Sequence, residues 1–372
     1  MSKAKKSSAK GMQDGDWNEI IGSIEREECI LVLGPGAIVD KNGKCLQDHL
    51  CELIADKLGE KIPESPDRLF QLADHLSKER GWRKLLSDMT TEAYNVDEYH
   101  PMYPQLAQIP FHLIISTSPD HLLTNTYNEF GLSYNLEYFN YKERQELQNE
   151  ASAAEPLIYN LFGETADDDS LVLTFDSLFD FIFSILSPKG FPLKLKEKVL
   201  AASNFLYLGF DFESWPLKIL MRLFESHKKE ISYAYAWKEN TLRPTTKSFF
   251  ENNFKIDFVS DEVPAFIDEL YQRCQAEKLI KDPAESEAPV SDFKKVAELL
   301  KKGEIVESID FLETHADEND DTDMLRSVIS FSRRFNTLER DKQKGILDKD
   351  DADLEMNRIV DGLLGLAETL NT

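Results

Sequence analysis

Short runs of apolar residues recur along the first two thirds of the chain, each closed by a turn residue and followed by a helical pattern. Cys29-Ile-Leu-Val-Leu33 breaks at Gly34-Pro35-Gly36, and Leu46, Leu50, Ile54 and Leu58 then fall four apart, on one face of a helix. His112-Leu-Ile-Ile-Ser116 is followed by Pro119 and a helix through Leu122 and Leu123. Pro156-Leu-Ile-Tyr-Asn-Leu161 closes at Gly163. Leu171-Val-Leu173 leads to Thr174, whose hydroxyl suits the N-cap of an apolar helix through Leu178, Phe181 and Ile185. Asn204-Phe-Leu-Tyr-Leu208 ends at Gly209, and Ser214-Trp-Pro216 opens the next helix, since proline in a first turn has no partner to lose. Residues 232–237 and 255–259 complete the strands, and Ser260 is expected to cap a helix with Pro264 in its first turn.

Strands alternating with helices predict a Rossmann-like α/β domain over residues 16–275, a mainly parallel sheet with helices on both faces. The pattern then changes. Residues 276–291, with Asp282-Pro-Ala-Glu-Ser-Glu-Ala-Pro289, read as a polar linker. Residues 292–372 carry only helical spacings, predicting a small all-helical bundle. Phe293, Val296, Leu299 and Leu300 come first, Gly303 breaks, and Ile305, Ile309 and Leu312 follow. After an acidic loop from His315 to Asp321 come Leu325, Val328, Ile329 and Phe335. Gly345 ends the next segment, and Ile359, Leu363, Leu366 and Leu370 mark the last helix.

Charge narrows the partners. The chain has 43 basic and 68 acidic residues, a net charge of −25, which repels nucleic-acid phosphates. No apolar run reaches the ~18 residues of a membrane-spanning helix. Residues 1–15 hold four lysines with no apolar run behind them, so they are expected to be a disordered basic tail and not a secretory signal. The cysteines Cys29, Cys45, Cys51 and Cys274 form no C-x-x-C pair, which argues against a zinc site and for reduced thiols in the cytoplasm.

The turn Gly34-Pro35-Gly36-Ala37 stands where open α/β sheets hold dinucleotides, because glycine lets phosphate approach backbone N–H groups. It is not G-x-G-x-x-G, Pro35 offers no N–H, and the turn Lys41-Asn42-Gly43-Lys44 separates it from its helix. A phosphate cradle and a plain strand-end turn both fit the motif. If it is a cradle, a carboxylate at Gly36 would repel the phosphate.

Four motifs in order resemble the sirtuin-like domains of prokaryotic antiviral defence systems: Leu31-Val-Leu-Gly-Pro-Gly-Ala37, Ile115-Ser-Thr-Ser-Pro-Asp-His-Leu-Leu123, Tyr159-Asn-Leu-Phe-Gly163 and Phe205-Leu-Tyr-Leu-Gly-Phe-Asp-Phe-Glu-Ser-Trp215. The resemblance covers roughly residues 17–270. It implies that NAD or a related nucleotide would be held by Gly34, Pro35, Gly36, Ala37, Thr117, Ser118, Asp120, Gly209 and Asp211, with no metal. The departures fall on the chemistry. Ser118 stands where the family has an asparagine that positions the nicotinamide ribose and water, and Phe162 where it has a histidine base. Phenylalanine takes no proton and serine is too short to replace a carboxamide, so the chain reads as a degenerate enzyme.

Residues 293–371 resemble the helical effector-associated domains of the same systems, through Phe335-Asn-Thr-Leu-Glu-Arg-Asp-Lys-Gln-Lys-Gly-Ile-Leu-Asp348, Glu355-Met-Asn-Arg-Ile359 and Leu363-Leu364. The resemblance implies recruitment of an effector or sensor protein with a similar domain. Glu339, Arg340, Asp341, Asn357 and Arg358 would form its docking face, or else serve as internal ion pairs and caps. A homo-oligomer is also expected, and the net charge and the lack of a long apolar run argue against nucleic acid or membrane as a partner.

Three functions follow as expectations. The first is a non-catalytic sirtuin-like scaffold or sensor in an antiphage pathway. The second is a divergent NAD glycohydrolase that depletes NAD on infection. The third is a structural subunit whose α/β domain polymerises. Remaining candidates for chemistry are His121, beside the second motif; Asp211, Glu213 and Trp215, after a strand end; and the run Asp167-Asp168-Asp169. A solvated helix histidine is the commoner reading of His121 and a solvated loop that of the aspartate run, while capping and packing account for Asp211, Glu213 and Trp215 equally well.

Overall fold

The computed structural model describes residues 12–96, 98–143, 146–187, 190–226, 233–237, 242–259, 262–281, 296, 299–300, 305–318, 322–343, 356, 358–360, 362–364 and 366–367. Ser260, Phe293, Gly303, Gly345, Asn357, Leu370, most of the expected tail and most of the expected linker lie outside them, as do the side chains of Glu339 and Asp341. The chain divides into two compact units between residues 286 and 287.

The first unit is a seven-stranded sheet in which every pairing is parallel. The strands are β1 (Cys29–Leu33), β2 (Leu113–Ser116), β3 (Asn135–Tyr138), β4 (Leu157–Asn160), β5 (Asn204–Leu208), β6 (Tyr233–Trp237) and β7 (Ile256–Val259). They lie in the order β3-β4-β2-β1-β5-β6-β7. All but β3 match expected strands. Asn135-Leu-Glu-Tyr138 is half-buried along its length and pairs only with β4, so it shows no apolar run. Leu171-Val-Leu173 forms no strand.

Side chains alternate across β1. Cys29, Leu31 and Leu33 enter one core and Ile30 and Val32 the other, which is why this strand is apolar at every position. The first core is covered by α1 (Asp14–Glu25), α2 (Leu46–Leu58), α3 (Arg68–Leu76), α5 (Met102–Gln108), α6 (Leu122–Glu129) and α11 (Val263–Ala276), with α4 (Trp82–Tyr94) packed on α2. The second is covered by α7 (Phe175–Leu186), α8 (Leu193–Ala201), α9 (Trp215–Ser226) and α10 (Pro244–Phe254). α1 begins two residues inside the expected tail. After α11, Leu279 and Ile280 pack on the first core and the Lys281 N–H donates to the Gln108 carbonyl at 2.8 Å, so the polar stretch is anchored at its start.

The second unit holds α12 (Ile305–Glu318) and α13 (Thr322–Gln343), which pack on each other, and residues 296, 299–300, 356, 358–360, 362–364 and 366–367 are helical as well. Val296, Ile309, Leu312, Val328, Ile359 and Leu363 share one core. The loop expected from His315 begins later, because Ala316 is buried in that core and holds α12 helical to Glu318. Among the described residues no helix is long and apolar enough to cross a membrane.

Thr174 caps α7 as its side chain predicts. Its Oγ1 accepts from the Ser177 N–H and the Ser177 Oγ accepts from the Thr174 N–H at 3.0 Å, a reciprocal box. Thr174→Ala is expected to lower the stability of the α/β unit by roughly 1 kcal/mol in urea unfolding followed by far-UV circular dichroism, while Thr174→Ser changes it little.

Candidate functional site

Strand order reverses at β1. The chain passes from β1 to β2, β4 and β3 on one side, and takes β5, β6 and β7 to the other. A crevice opens at the carboxyl ends of the strands at such a point, where ligands of open α/β sheets bind. Here that crevice is a cavity of about 690 Å³, between the exits of β1, β2 and β5 and the first turns of α2, α3, α9 and α11.

The exits of β1 and β5 are sewn together. The Gly34 N–H donates to the Leu208 carbonyl at 2.7 Å and the Gly36 N–H to the Gly209 carbonyl at 2.8 Å. A Cβ on Gly36 would stand 2.8 Å from the Gly209 oxygen, and Gly209 itself holds φ +73° with its missing Cβ 2.0 Å from the Ala37 nitrogen. These glycines therefore serve backbone-to-backbone approach within the protein. The rest of the loop is closed as well. Ala37 donates to the Gly34 carbonyl at 3.0 Å, Ile38 to Pro35 at 3.1 Å and Asp40 to Lys44 at 2.9 Å. The Val39 N–H donates to the hydroxyl of Tyr103, which donates in turn to the Ala37 carbonyl. Every N–H from Gly34 to Asp40 is thus engaged inside the protein. A carboxylate at Gly36 would strike the β5 exit before it met any ligand, which corrects the expectation that it probes a phosphate alone.

Of the residues expected to bind a nucleotide, Pro35, Gly36, Thr117, Gly209 and Asp211 line the cavity, joined by Phe162. Gly34, Ala37, Ser118 and Asp120 lie behind its wall. Sequence reasoning missed Cys45, Asp48, Asp67, Arg68, His100 and Glu262, which come from segments with no motif. Four carboxylates face the space: Asp48, Asp67, Asp211 and Glu262. Arg68 is committed to Asp48, its Nε donating at 2.9 Å. Asp48 sits in the first turn of α2, where the helix dipole would otherwise favour a ligand anion. Asp67 is raised by burial and by Asp211, against the bond from the Ser214 hydroxyl. Cys45 gives its thiol proton to the Pro35 carbonyl, and burial pushes it up to about 11, so it is a donor and no nucleophile. His100 Nδ1 accepts from the Met102 N–H at 3.3 Å, which leaves Nε2 as the protonated nitrogen.

The residues present do not fit the pyrophosphate of NAD. A dianion needs free N–H groups or cations, and this cavity offers closed amides, a paired guanidinium and four carboxylates.

At the two departures, Ser118 is buried beside the Tyr94 phenol, its N–H bonded to the Ser116 hydroxyl at 3.1 Å. Phe162 lies edge-on to Phe181 at 5.2 Å. A histidine is nonetheless close behind. His121 Nε2 stands 2.8 Å from Oε1 of the buried Glu164, and the same carboxylate accepts from the Thr165 N–H and hydroxyl and from the Asn160 amide. Burial would raise Glu164, but the His121 and Thr165 donors outweigh it and hold the carboxyl below its ordinary value. Asp120 caps α6 through the Leu122 N–H at 3.0 Å. Burial pushes it up to about 6, although that bond and His121 pull downward.

The other candidates have structural work. Glu213 is held low, to about 2, by Arg243, whose Nε donates at 2.9 Å, and by Thr246, against its burial. Trp215 stacks between Phe175 and Phe179. Asp167 accepts from Tyr138 and Asn140, Asp168 from Ser87 and Asp169 from Lys142. Among the described residues no three His, Cys, Asp or Glu stand together as metal ligands. In the second unit Arg340 lies exposed on α13, which also holds positions 339 and 341, and Arg358 is exposed on the last helix.

Comparison with known proteins agrees with this architecture. Residues 112–258 match the SIR2-like domain family and residues 291–371 match effector-associated domain 11. The SIR2-like match thus falls within the α/β unit and the effector-associated match within the helical unit. The SIR2-like match starts after the glycine loop, so the loop's assignment rests on its position at β1. A solved structure described as the structural basis for the mechanism and regulation of Sir2 enzymes is 12% identical, over 72% of this chain and 99% of its own, with a TM-score of 0.33. No curated protein matches the chain.

Asp120 makes the site's stability depend on pH. Its folded pKa of about 6 lies above the ordinary 3.8, so its favourable contribution is complete below about 3.8 and is lost as pH rises through about 6. Asp120→Asn keeps an acceptor for the Leu122 N–H. It is expected to stabilise the α/β unit at pH 8 by up to about 3 kcal/mol, at about 1.4 kcal/mol per pH unit of displacement, with the gain vanishing near pH 4. Denaturant midpoints across that range measure it; a gain that does not vary with pH would show that Asp120 is not strained by burial.

Proposed function

We propose that this protein is a non-hydrolytic SIR2-like module that recruits a partner through its effector-associated domain, as a scaffold or sensor in a cytoplasmic antiphage pathway of bacteria. The observation that carries the reading is Phe162. At the exit of β4, where the chemistry of nicotinamide release calls for a base, the chain places an apolar ring packed against Phe181. The closed amides from Gly34 to Asp40 point the same way. The acidic lining of this cavity suits a nucleoside better than the pyrophosphate of a dinucleotide. Carboxylates such as Asp211 can accept from ribose hydroxyls, and Phe70 and Phe210 offer apolar surface to a base.

The rival reading, an NAD glycohydrolase, is favoured by one observation, the His121–Glu164 pair at 2.8 Å. A histidine oriented by a buried carboxylate is the geometry of a general base. Neither residue lines the cavity.

Nicotinamide release from NAD by the purified chain, alone and with a partner bearing an effector-associated domain, separates the two. The expected outcome is no turnover above the uncatalysed rate in either case. Turnover that Glu164→Gln or His121→Ala abolishes would establish the hydrolase instead.

Recruitment is tested by co-purification. The C-terminal helices have their own core, and residues 287–372 form a unit separate from the α/β domain. Removal of residues 291–372 is expected to abolish capture of the partner while leaving the unfolding of the α/β unit unchanged. Charge reversal at Arg340 or Arg358 is expected to weaken capture without melting the bundle. Capture that survives the deletion would place the interface on the α/β domain.

A further inference from the structure

The turn after α11 carries two unfavourable features. The first is in the backbone. α11 ends at Ala276, and Lys278 takes φ +60°, the left-handed region that glycine adopts freely and lysine does not. The turn is otherwise well made for a helix end. The Lys278 N–H donates to the Gln275 carbonyl at 3.0 Å and the Leu279 N–H to the Cys274 carbonyl at 2.9 Å. It brings the chain back onto the first core, where Leu279 and Ile280 pack, and the Lys281 N–H then reaches the Gln108 carbonyl at the end of α5.

The second feature is the amine of Lys281. Its Nζ is buried with no hydrogen-bond partner, 5.0 Å from the centre of the Tyr127 ring on α6. The hydroxyl of that tyrosine is buried and unpartnered too. The charged groups on the surrounding elements are committed elsewhere. α5 has none. On α6, Glu129 accepts from the Tyr99 hydroxyl. On α11, Asp268 accepts from Gln105 and Gln272, and Arg273 pairs with Glu269 and Asp14. Of the other titratable groups there, the Tyr271 hydroxyl donates to the Gln108 side chain and Cys274 is a buried thiol. Glu277 and Lys278 on the turn itself are exposed, and Asp282 lies outside the described residues. A lone ammonium resists burial strongly, so burial alone pushes this amine down to about 7 from an ordinary 10.5.

We propose that residues 278–281 are a proton-sensitive latch at the root of the chain that leads to the helical unit, closed on the α/β unit by loss of the Lys281 proton and weakened as the solution acidifies toward neutrality. The aromatic surface of Tyr127 receives the apolar stem and the neutral amine, and neither it nor its hydroxyl can balance a full charge. Opening frees Leu279 and Ile280 from the core. It adds four residues, at most about 14 Å, to the segment ahead of the helical unit. The reach of that unit then depends on proton concentration, whatever the unit binds. The direction follows from the two forms of the amine. Once open it returns to its ordinary value. Between about 7 and 10.5 the open form therefore holds a proton that the closed form lacks, and closure strengthens as pH rises through that window. Below about 7 both forms are protonated and the balance no longer changes.

Hydrogen exchange of the full-length chain tests this, read as protection factors corrected for the intrinsic exchange rate. Protection of the Leu279 and Lys281 amides is expected to rise roughly 20-fold between pH 6.5 and pH 8.5. Lys281→Met keeps the length and the apolar stem and removes the amine. It should protect both amides better than the unaltered chain at pH 6.5 and abolish the dependence on pH. Lys278→Gly relieves the backbone instead, so it should raise protection roughly fivefold at each pH and keep the dependence. Protection that does not change with pH in the unaltered protein, or a Lys281→Met variant that retains the change, overturns the proposal.

Discussion

The hydrogen bonds that tie the exit of β1 to the exit of β5 set the character of this site. Gly34 and Gly36 donate to Leu208 and Gly209, and the close approach excludes any side chain at Gly36 or Gly209. The two strands flank the switch point of the sheet, so the seam between them forms the floor of the cavity. An amide bonded to a carbonyl at 2.8 Å has no proton left for a ligand. The same bonds that hold the crevice in shape therefore remove the phosphate donors that such a crevice commonly offers. Tyr103 completes this closure from beneath by bridging Val39 and Ala37.

The charge of the cavity follows from what surrounds that seam. The loop before α3 and the first turns of α2 and α11 bring Asp67, Asp48 and Glu262 to the wall, and Asp211 comes from the β5 exit. One guanidinium faces them, and it is already paired. Under the proposed function, phosphate binding and nicotinamide release would each be opposed for a separate reason. Electrostatics and spent amides oppose the first, and the apolar Phe162 opposes the second. The helical unit that follows matches a family named for association with effectors.

The site was only partly legible in the residue pattern. Motifs located Pro35, Gly36, Thr117, Gly209 and Asp211, because each follows a strand end and strand ends converge at the switch point. Ser118 and Asp120 belong to the same motif but turn inward, one toward Tyr94 and one to cap α6. A motif specifies order along the chain, whereas the turn decides which residues face the space. Arg68, Asp67 and His100 arrive from stretches with no motif, and nothing in their local spacing separates them from solvated surface residues. His121 was visible as a residue but not as half of a pair, since its partner Glu164 lies 43 positions further on.

By itself the sequence determined the alternation of strands and helices, the break into an α/β unit and a helical unit, and the Thr174 cap. Each of these is written in periodicity or in a bond between near neighbours. It also determined the two departures, because Ser118 and Phe162 lack the required groups in any fold. Only the tertiary structure decided that the glycine loop is closed, that the cavity is acidic, that β3 joins the sheet edge and that the Lys281 amine is buried without a partner. Those outcomes depend on which distant segments meet. A glycine reads the same whether it faces a phosphate or the carbonyl of a strand some 170 residues away, and a lysine reads the same whether its amine ends in water or against a buried tyrosine ring.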